Sequence, residues 1–179
     1  FFIEADSVII AAGEEIEVVL DQTPFYGEAG GQVGDTGLII RDGMRMEVKH
    51  ALRIGDQLII HRGTIQKGTL AAGEQVEARV NEEGRQATAR NHTATHLLQS
   101  ALRLHLGKHV TQAGSLVGPN RLRFDFAHPR AMTREEIEEV ERTVSEQIVA
   151  NIGLRVLHSS YDEALREGAM ALFGEKYED

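Results

Sequence analysis

The sequence predicts an α+β chain: a small β-barrel over residues 1–83, then helices packed on an antiparallel sheet over residues 84–179. Three observations carry that expectation. Short β-branched runs recur between glycine-rich turns up to about residue 80. A stretch of helical period follows from Asn81. Two strand-like runs joined by Gly118-Pro119-Asn120 then precede a second helical stretch.

In the first part the runs are Ile16–Leu20, Val33–Ile40, Met44–His50, Gln57–His61 and Gln75–Val80, with Arg41-Asp42-Gly43 and Ala71-Ala72-Gly73 as turn signals. Asn81 is placed to cap a helix running from Glu82 to about Leu106. Its apolar stripe is Ala87, Ala94, Leu97, Leu98, Ala101 and Leu102, and Gly107 is placed to end it. The runs His109–Val117 and Arg121–Phe126 read as a hairpin, the second alternating Arg121, Arg123 and Asp125 with Leu122, Phe124 and Phe126. Thr133 and Glu136 have capping-box spacing and open a helix whose core face is Ile137, Val140, Val144 and Ile148. Leu154–His158 reads as a strand, and Tyr161–Glu167 as a short helix ending near Gly168. No internal repeat or low-complexity segment interrupts this order.

At 179 residues and 41% hydrophobic, the chain can bury one good core or two modest ones. No apolar run approaches the roughly 18 residues of a membrane helix, and the start lacks the basic flank of a signal peptide. A cytoplasmic setting is therefore the expectation. The opening on two phenylalanines without a methionine leads us to expect a piece of a longer polypeptide. A net charge of −9 argues against indiscriminate binding to nucleic acid. Its distribution qualifies that reading: Gly84–Phe124 holds no Asp or Glu, but does hold Arg85, Arg90, Arg103, Lys108, Arg121 and Arg123. Such a stretch is either a solvated face or a surface for a partner bearing phosphates.

Three stretches carry residues suited to chemistry. In Asn-His-Thr-Ala-Thr-His-Leu-Leu at 91–98, His92 and His96 stand four apart, so they share one helix face. Two imidazoles supply half of a tetrahedral zinc site, and the chain contains no cysteine. A chance pair stays open as the alternative. Thr93 occupies the place of the metalloprotease general base, which disfavours peptidase chemistry. Five glycines between Gly27 and Gly37 permit positive φ or close backbone approach, and no Lys-Ser/Thr follows to make a phosphate cradle. At 109–116, Gln112 offers an amide, as Thr95 offers a hydroxyl, to a small polar ligand near the histidine pair. Ordinary strand polarity is the alternative.

Taken together these stretches resemble one family. The motifs Phe-Tyr-Gly-Glu-Ala-Gly-Gly-Gln-Val-Gly-Asp-Thr-Gly at 25–37, Asn-His-Thr-Ala-Thr-His-Leu-Leu at 91–98, His-Val-Thr-Gln-Ala-Gly-Ser-Leu-Val at 109–117, Arg-Leu-Arg-Phe-Asp-Phe at 121–126 and Gly-Ala-Met-Ala-Leu-Phe-Gly-Glu-Lys-Tyr at 168–177 resemble, in order and spacing, the editing region of bacterial alanyl-tRNA synthetases. A looser likeness extends to free-standing editing proteins and to the threonyl-tRNA synthetase editing domain.

The resemblance implies a translation-factor-like β-barrel followed by an editing domain that hydrolyses tRNA(Ala) mischarged with serine or glycine. The parent enzyme would join alanine to tRNA(Ala) using ATP. Such checking is physically needed, because a pocket cut for alanine cannot strongly reject a smaller glycine or a serine that adds only a hydroxyl. By the same resemblance His92 and His96 match two zinc ligands, and Thr95 and Gln112 are the candidate catalytic residues, matching positions that select or place the substrate. Gly30, Gly31, Gln32 and Asp35 match the glycine motif that supports the editing site or tRNA end, while Arg90, Lys108, Arg121 and Arg123 are candidate tRNA contacts.

The family's other zinc ligands lie in a Cys-Gly-Gly-Thr-His segment beyond the residues matching Phe-Gly-Glu-Lys-Tyr, and this sequence stops at Asp179. The expectation is therefore weak zinc binding or none, and slower hydrolysis than in a chain extended through that segment. A free-standing editing hydrolase and a non-catalytic tRNA-binding module are the competing readings.

Overall fold

The computed structural model describes residues 10–55, 58–153 and 159–167, and the fold is α+β. Two compact units result, one of residues 1–90 with 117–121, the other of residues 91–116 with 122–179.

The first unit contains β1 (Ile10–Ala11), β2 (Glu15–Val19), β3 (Gly37–Arg41), β4 (Met44–Ile54), β5 (Leu58–Lys67), β6 (Thr69–Leu70) and β7 (Glu77–Val80). Five of these form an antiparallel sheet in the order β2-β5-β4-β3-β7, and β1 pairs with β6. Residues from both edges line a single core. Ile16, Phe25, Ile39, Met44, Met46, Val48, Ala51, Ile65 and Leu70 are buried there, with Val18, Val76, Ala78 and Val80 packed against them. The sheet therefore curls about its core, although among the described residues no pairing joins β2 to β7.

Alternation predicts β4 only as far as His50, yet the strand continues to Ile54. Its register with β5 shifts between Val48 and His50, so the buried positions run Met44, Met46, Val48, then Ala51. A bulge adds one residue and breaks the period of two that a sequence pattern follows. The expected strand from Val33 begins only at Gly37, because residues 26–35 form a closed loop. The first residue of the expected run Gln57–His61 lies outside the described residues.

Helix α1 (Glu82–Leu106) starts where Asn81 predicts: the Gly84 N–H donates to Asn81 Oδ1 at 3.1 Å. In the second unit its Ala101 and Leu102 are buried with Val110 and Val140. Around them pack Phe124 and Phe126 from β9 (Leu122–Phe126), which forms a two-stranded sheet with β8 (Gln112–Val117). Helix α2 (Arg134–Ala150) carries the predicted box, with the Glu136 N–H donating to Thr133 Oγ1 and the Thr133 N–H to the Glu136 carboxylate.

Of its expected core face, Val140 is buried and Val144 packs against the core, but Ile137 and Ile148 are 43% and 58% exposed. A 17-residue helix is about 25 Å long, whereas a five-residue strand spans about 17 Å, so the helix ends overreach the sheet. Helix α3 (Tyr161–Arg166) follows. The strand expected at Leu154–His158, the ending near Gly168 and the 168–177 motif lie outside the described residues.

Candidate functional site

In the first unit the glycine motif forms a ten-residue loop with a tight neck. The Asp35 N–H donates to the Tyr26 carbonyl at 2.9 Å, and the Tyr26 N–H donates back to Asp35 Oδ2 at 2.6 Å. At the tip Ala29 and Gln32 pair through both backbone hydrogen bonds, and Gly30 and Gly31 between them have φ of 57° and 81°. Positive φ at both central residues is what a type I′ turn needs, and glycine adopts it without a Cβ clash. Gly34 has the other reason to be glycine, since a Cβ there would lie 1.9 Å from the Ala51 carbonyl oxygen.

The tip is also held from outside the loop. The Val117 N–H donates to the Gly31 carbonyl at 2.8 Å, and the Val33 N–H donates to the Val117 carbonyl at 2.9 Å. The neck is closed by Arg85, from the first turn of α1. Its guanidinium ion-pairs the Asp35 carboxylate and donates to the Pro24 carbonyl at 2.6 Å. Asp35 is 9% exposed, so it serves this unit as a buried anchor. Its hydrogen bond raises the already high pKa of Arg85.

In the second unit His92 and His96 present near-parallel rings, with centroids 5.1 Å apart and an interplanar angle of 14°. His92 is half-buried and His96 exposed. Between them in sequence, Thr95 is buried and its hydroxyl donates to the Asn91 carbonyl at 2.8 Å. With its proton committed, this hydroxyl meets a ligand as an acceptor. Gln112, exposed on β8, donates weakly to Ser115 Oγ at 3.4 Å, so its amide faces solvent and is not bonded to Thr95.

The histidine pair fits two of the four donor positions of a zinc site. Among the described residues, no group of three or more His, Cys, Asp or Glu is gathered around a common point where a metal could sit.

The basic residues of the acid-free stretch fall into two sets. Arg85 is bound to Asp35, Arg103 donates to the Val110 carbonyl at 3.0 Å, and Arg123 pairs with Asp125 at 3.1 Å. Arg90, Lys108 and Arg121 are exposed and make no ion pair among the described residues. Sequence reasoning counted Arg85 only as part of the acid-free stretch, a solvated face or a phosphate-facing surface, and missed the pair with Asp35. A separation of 50 residues leaves no local signal for it.

It also missed two contacts of the second unit. His109 Nε2 lies 2.9 Å from His128 Nδ1, and His105 bonds Thr143 Oγ1 at 2.8 Å while its other nitrogen faces Glu139 at 3.3 Å.

Comparison with known proteins places these motifs in a family context. Residues 4–84 match the family described as tRNA synthetases class II (A). Over its whole length the chain is 51% identical to an alanine–tRNA ligase of Acetivibrio thermocellus, of which it covers 21%. It is 50% identical to the alanine–tRNA ligase of a Chelativorans species, over 94% of this chain and 19% of that protein. It is 53% identical to that of Halorhodospira halophila, over 93% of this chain and 19% of that protein. The chain thus spans about a fifth of the length of these curated relatives.

Proposed function

This chain belongs to the alanyl-tRNA synthetase family, and on that premise we propose that it is the region that hydrolyses the ester of Ser-tRNA(Ala) and Gly-tRNA(Ala). The observation that carries this reading is the α1 face on which His92 and His96 stand parallel with the acceptor hydroxyl of Thr95 between them in sequence. A site that inspects a serine hydroxyl needs a buried hydrogen-bond acceptor, which the Thr95 oxygen supplies.

In this reading Thr95 accepts a hydrogen bond from the serine hydroxyl. Alanine, lacking the hydroxyl, leaves that acceptor unpaired and binds less well. The Gln112 amide holds the ester or terminal ribose; water attacks the carbonyl carbon, the acyl C–O bond breaks, and the ribose oxygen leaves with a proton as the terminal hydroxyl. Zinc is the expected cofactor: His92 and His96 would hold it, and when bound it would activate water or fix the tRNA end. The remaining donors would come from outside the described residues. Arg90, Lys108, Arg121 and Arg123 contact tRNA phosphates, and Gly30, Gly31, Gln32 and Asp35 hold the supporting loop. The partners are the acceptor end of tRNA(Ala) and the rest of a synthetase that joins alanine to it with ATP, working in the cytoplasm.

The test is deacylation of Ser-tRNA(Ala) by the natural protein containing this sequence, beside its His92→Ala/His96→Ala variant, with zinc content measured on both. Turnover in the parent and a loss of both activity and zinc in the variant are expected. Salt-dependent tRNA binding without turnover in the parent would instead mark a tRNA-binding module and sink the reading.

A further inference from the structure

His109 and His128 meet at the open end of the β8–β9 hairpin, inside the second unit. His109 sits in the turn that ends α1, closed by the Val110 N–H donating to the Gly107 carbonyl at 3.2 Å. His128 follows Ala127, whose N–H donates to the Thr111 carbonyl at 3.1 Å. Directly after Thr111 comes Gln112, the first residue of β8. The two rings stack with centroids 5.1 Å apart, and Nε2 of His109 lies 2.9 Å from Nδ1 of His128. The other nitrogen of His128, Nε2, is buried and has no hydrogen-bond partner among the described residues.

These contacts assign the hydrogens. A bond between two ring nitrogens needs one N–H and one lone pair. A buried N–H without an acceptor is a costlier orphan than a lone pair, so His128 carries its hydrogen on Nδ1 and donates to His109 Nε2. The neutral pair then holds two ring hydrogens, and a third ends in the same place whichever ring takes the charge. If His128 becomes the cation, its Nε2 gains the hydrogen directly. If His109 becomes the cation and donates instead, His128 must free Nδ1 and carry its own hydrogen on Nε2. Both routes bury an unpartnered N–H, and the alternative is to break the bond between the rings. Neighbouring charge does not offset this. Glu136 of α2 feels the charge of His128, but its carboxylate already takes the Arg130 guanidinium at 2.8 Å and the Thr133 N–H at 2.9 Å. Asp125 of β9 pairs with Arg123, and His105 of α1 is turned to Thr143 and Glu139. Lys108 in the turn and Arg103 of α1, bonded to the Val110 carbonyl, are cations.

We propose that the His109–His128 pair is a proton-sensitive latch on the hairpin, which holds the start of β8, and with it Gln112, while the rings share two hydrogens and releases it when they take a third. The part given to Gln112 rests on the hydrolase reading above; the latch itself does not.

The experiment uses the natural protein carrying this sequence, with His109→Phe, which keeps a ring and removes the acceptor, and the double variant His109→Gln/His128→Asn. In the double variant the glutamine oxygen stands for His109 Nε2 and the asparagine N–H for that of His128 Nδ1, so the bond persists with no group that takes a proton. His109 is exposed and His128 half-buried, positions that accept such changes without opening the core. Amide hydrogen exchange is read on peptides spanning residues 108–113 and 126–129 from about pH 8 to about pH 5.5, as protection relative to the free-peptide rate. At about pH 8, kcat and KM for Ser-tRNA(Ala) are read beside it.

In the parent, protection of both peptides should fall by about tenfold or more on acidification. The double variant should keep at low pH the protection the parent has at high pH, and His109→Phe should show the low value throughout. With β8 loosened, His109→Phe should lose about tenfold in kcat with KM little changed, and the double variant should recover it. Protection that ignores pH in the parent overturns the inference. So does a double variant that follows pH as the parent does, since another group would then be titrating. A His109→Phe protein with parental protection or parental kcat overturns it as well. A parent that does not hydrolyse Ser-tRNA(Ala) defeats the hydrolase reading and the part given to Gln112, and is told apart by protection that still follows pH in the parent and not in the double variant.

Discussion

The Thr95 hydroxyl already points its proton at the Asn91 carbonyl, so a substrate in this reading meets an oxygen lone pair. Replacement by valine keeps the shape and removes the acceptor. We expect Thr95→Val to lower the ratio of Ser-tRNA(Ala) to Ala-tRNA(Ala) hydrolysis by about tenfold, the worth of one neutral hydrogen bond of roughly 1.4 kcal/mol, checked by deacylation rates on both substrates. A second residue-scale expectation concerns His61, wholly buried in the first unit. Its Nδ1–H donates to the Val18 carbonyl at 3.0 Å, so Nε2 accepts from the Thr23 hydroxyl at 2.7 Å, the arrangement of a neutral ring. Burial pushes its pKa below 6.5, more than the bond to Val18 raises it. The unfolded chain then binds the proton more readily than the folded one. The stability this contributes is complete above about pH 6.5 and is lost as pH falls toward the lowered value, with a slope of up to about 1.4 kcal/mol per pH unit. Urea unfolding between pH 8 and 5 should show that loss, and a His61→Gln variant should flatten it. The spacing of His92 and His96 makes their pairing legible, because helical geometry is local. The Arg85–Asp35 pair and the neutral state of His61 were not legible, since both depend on partners 38 to 50 residues away.

Among elements, α2 shows what a local signal can and cannot announce. Its start was readable from Thr133 and Glu136 alone, and the carboxyl of Glu136 is held down to about 2 by Arg130 and the Thr133 N–H. Thr133→Ala should destabilise the helix by about 1 kcal/mol, seen as a lower melting temperature and faster exchange in its first turn. Its buried face was only half readable. The stripe from Ile137 to Ile148 follows the helical period, but how much of it is covered depends on the length of the sheet beneath. The glycine loop reads in the opposite sense, because five glycines announce an unusual backbone without saying which one. At the tip, Gly31→Ala forces a left-handed conformation on a residue with a Cβ, at a cost of about 1–2 kcal/mol. Thermal unfolding checks it.

Taken whole, the molecule is acidic, and in its acid-free stretch Arg90, Lys108 and Arg121 are exposed and make no ion pair among the described residues. Arg90→Ala, Lys108→Ala and Arg121→Ala should each lower the slope of log affinity for tRNA against log salt by about 0.7 to 1, whereas Arg103→Ala should leave it unchanged and cost stability instead. The α+β class was legible at this scale because the period changes sharply near Asn81. Sheet order was not, since β1–β6 and β3–β7 join distant runs that no local period connects. That order also sets a timetable for folding. In the β4–β5 hairpin Ile54 pairs with Leu58, four residues on, whereas β1–β6 pairs Ile10 with Leu70, sixty residues on. By loop-closure entropy the longer link costs about 2 kcal/mol more to initiate. The hairpin should therefore form early and the β1–β6 pair last, so that mutations in β1 mainly hasten unfolding while those in β4 slow refolding.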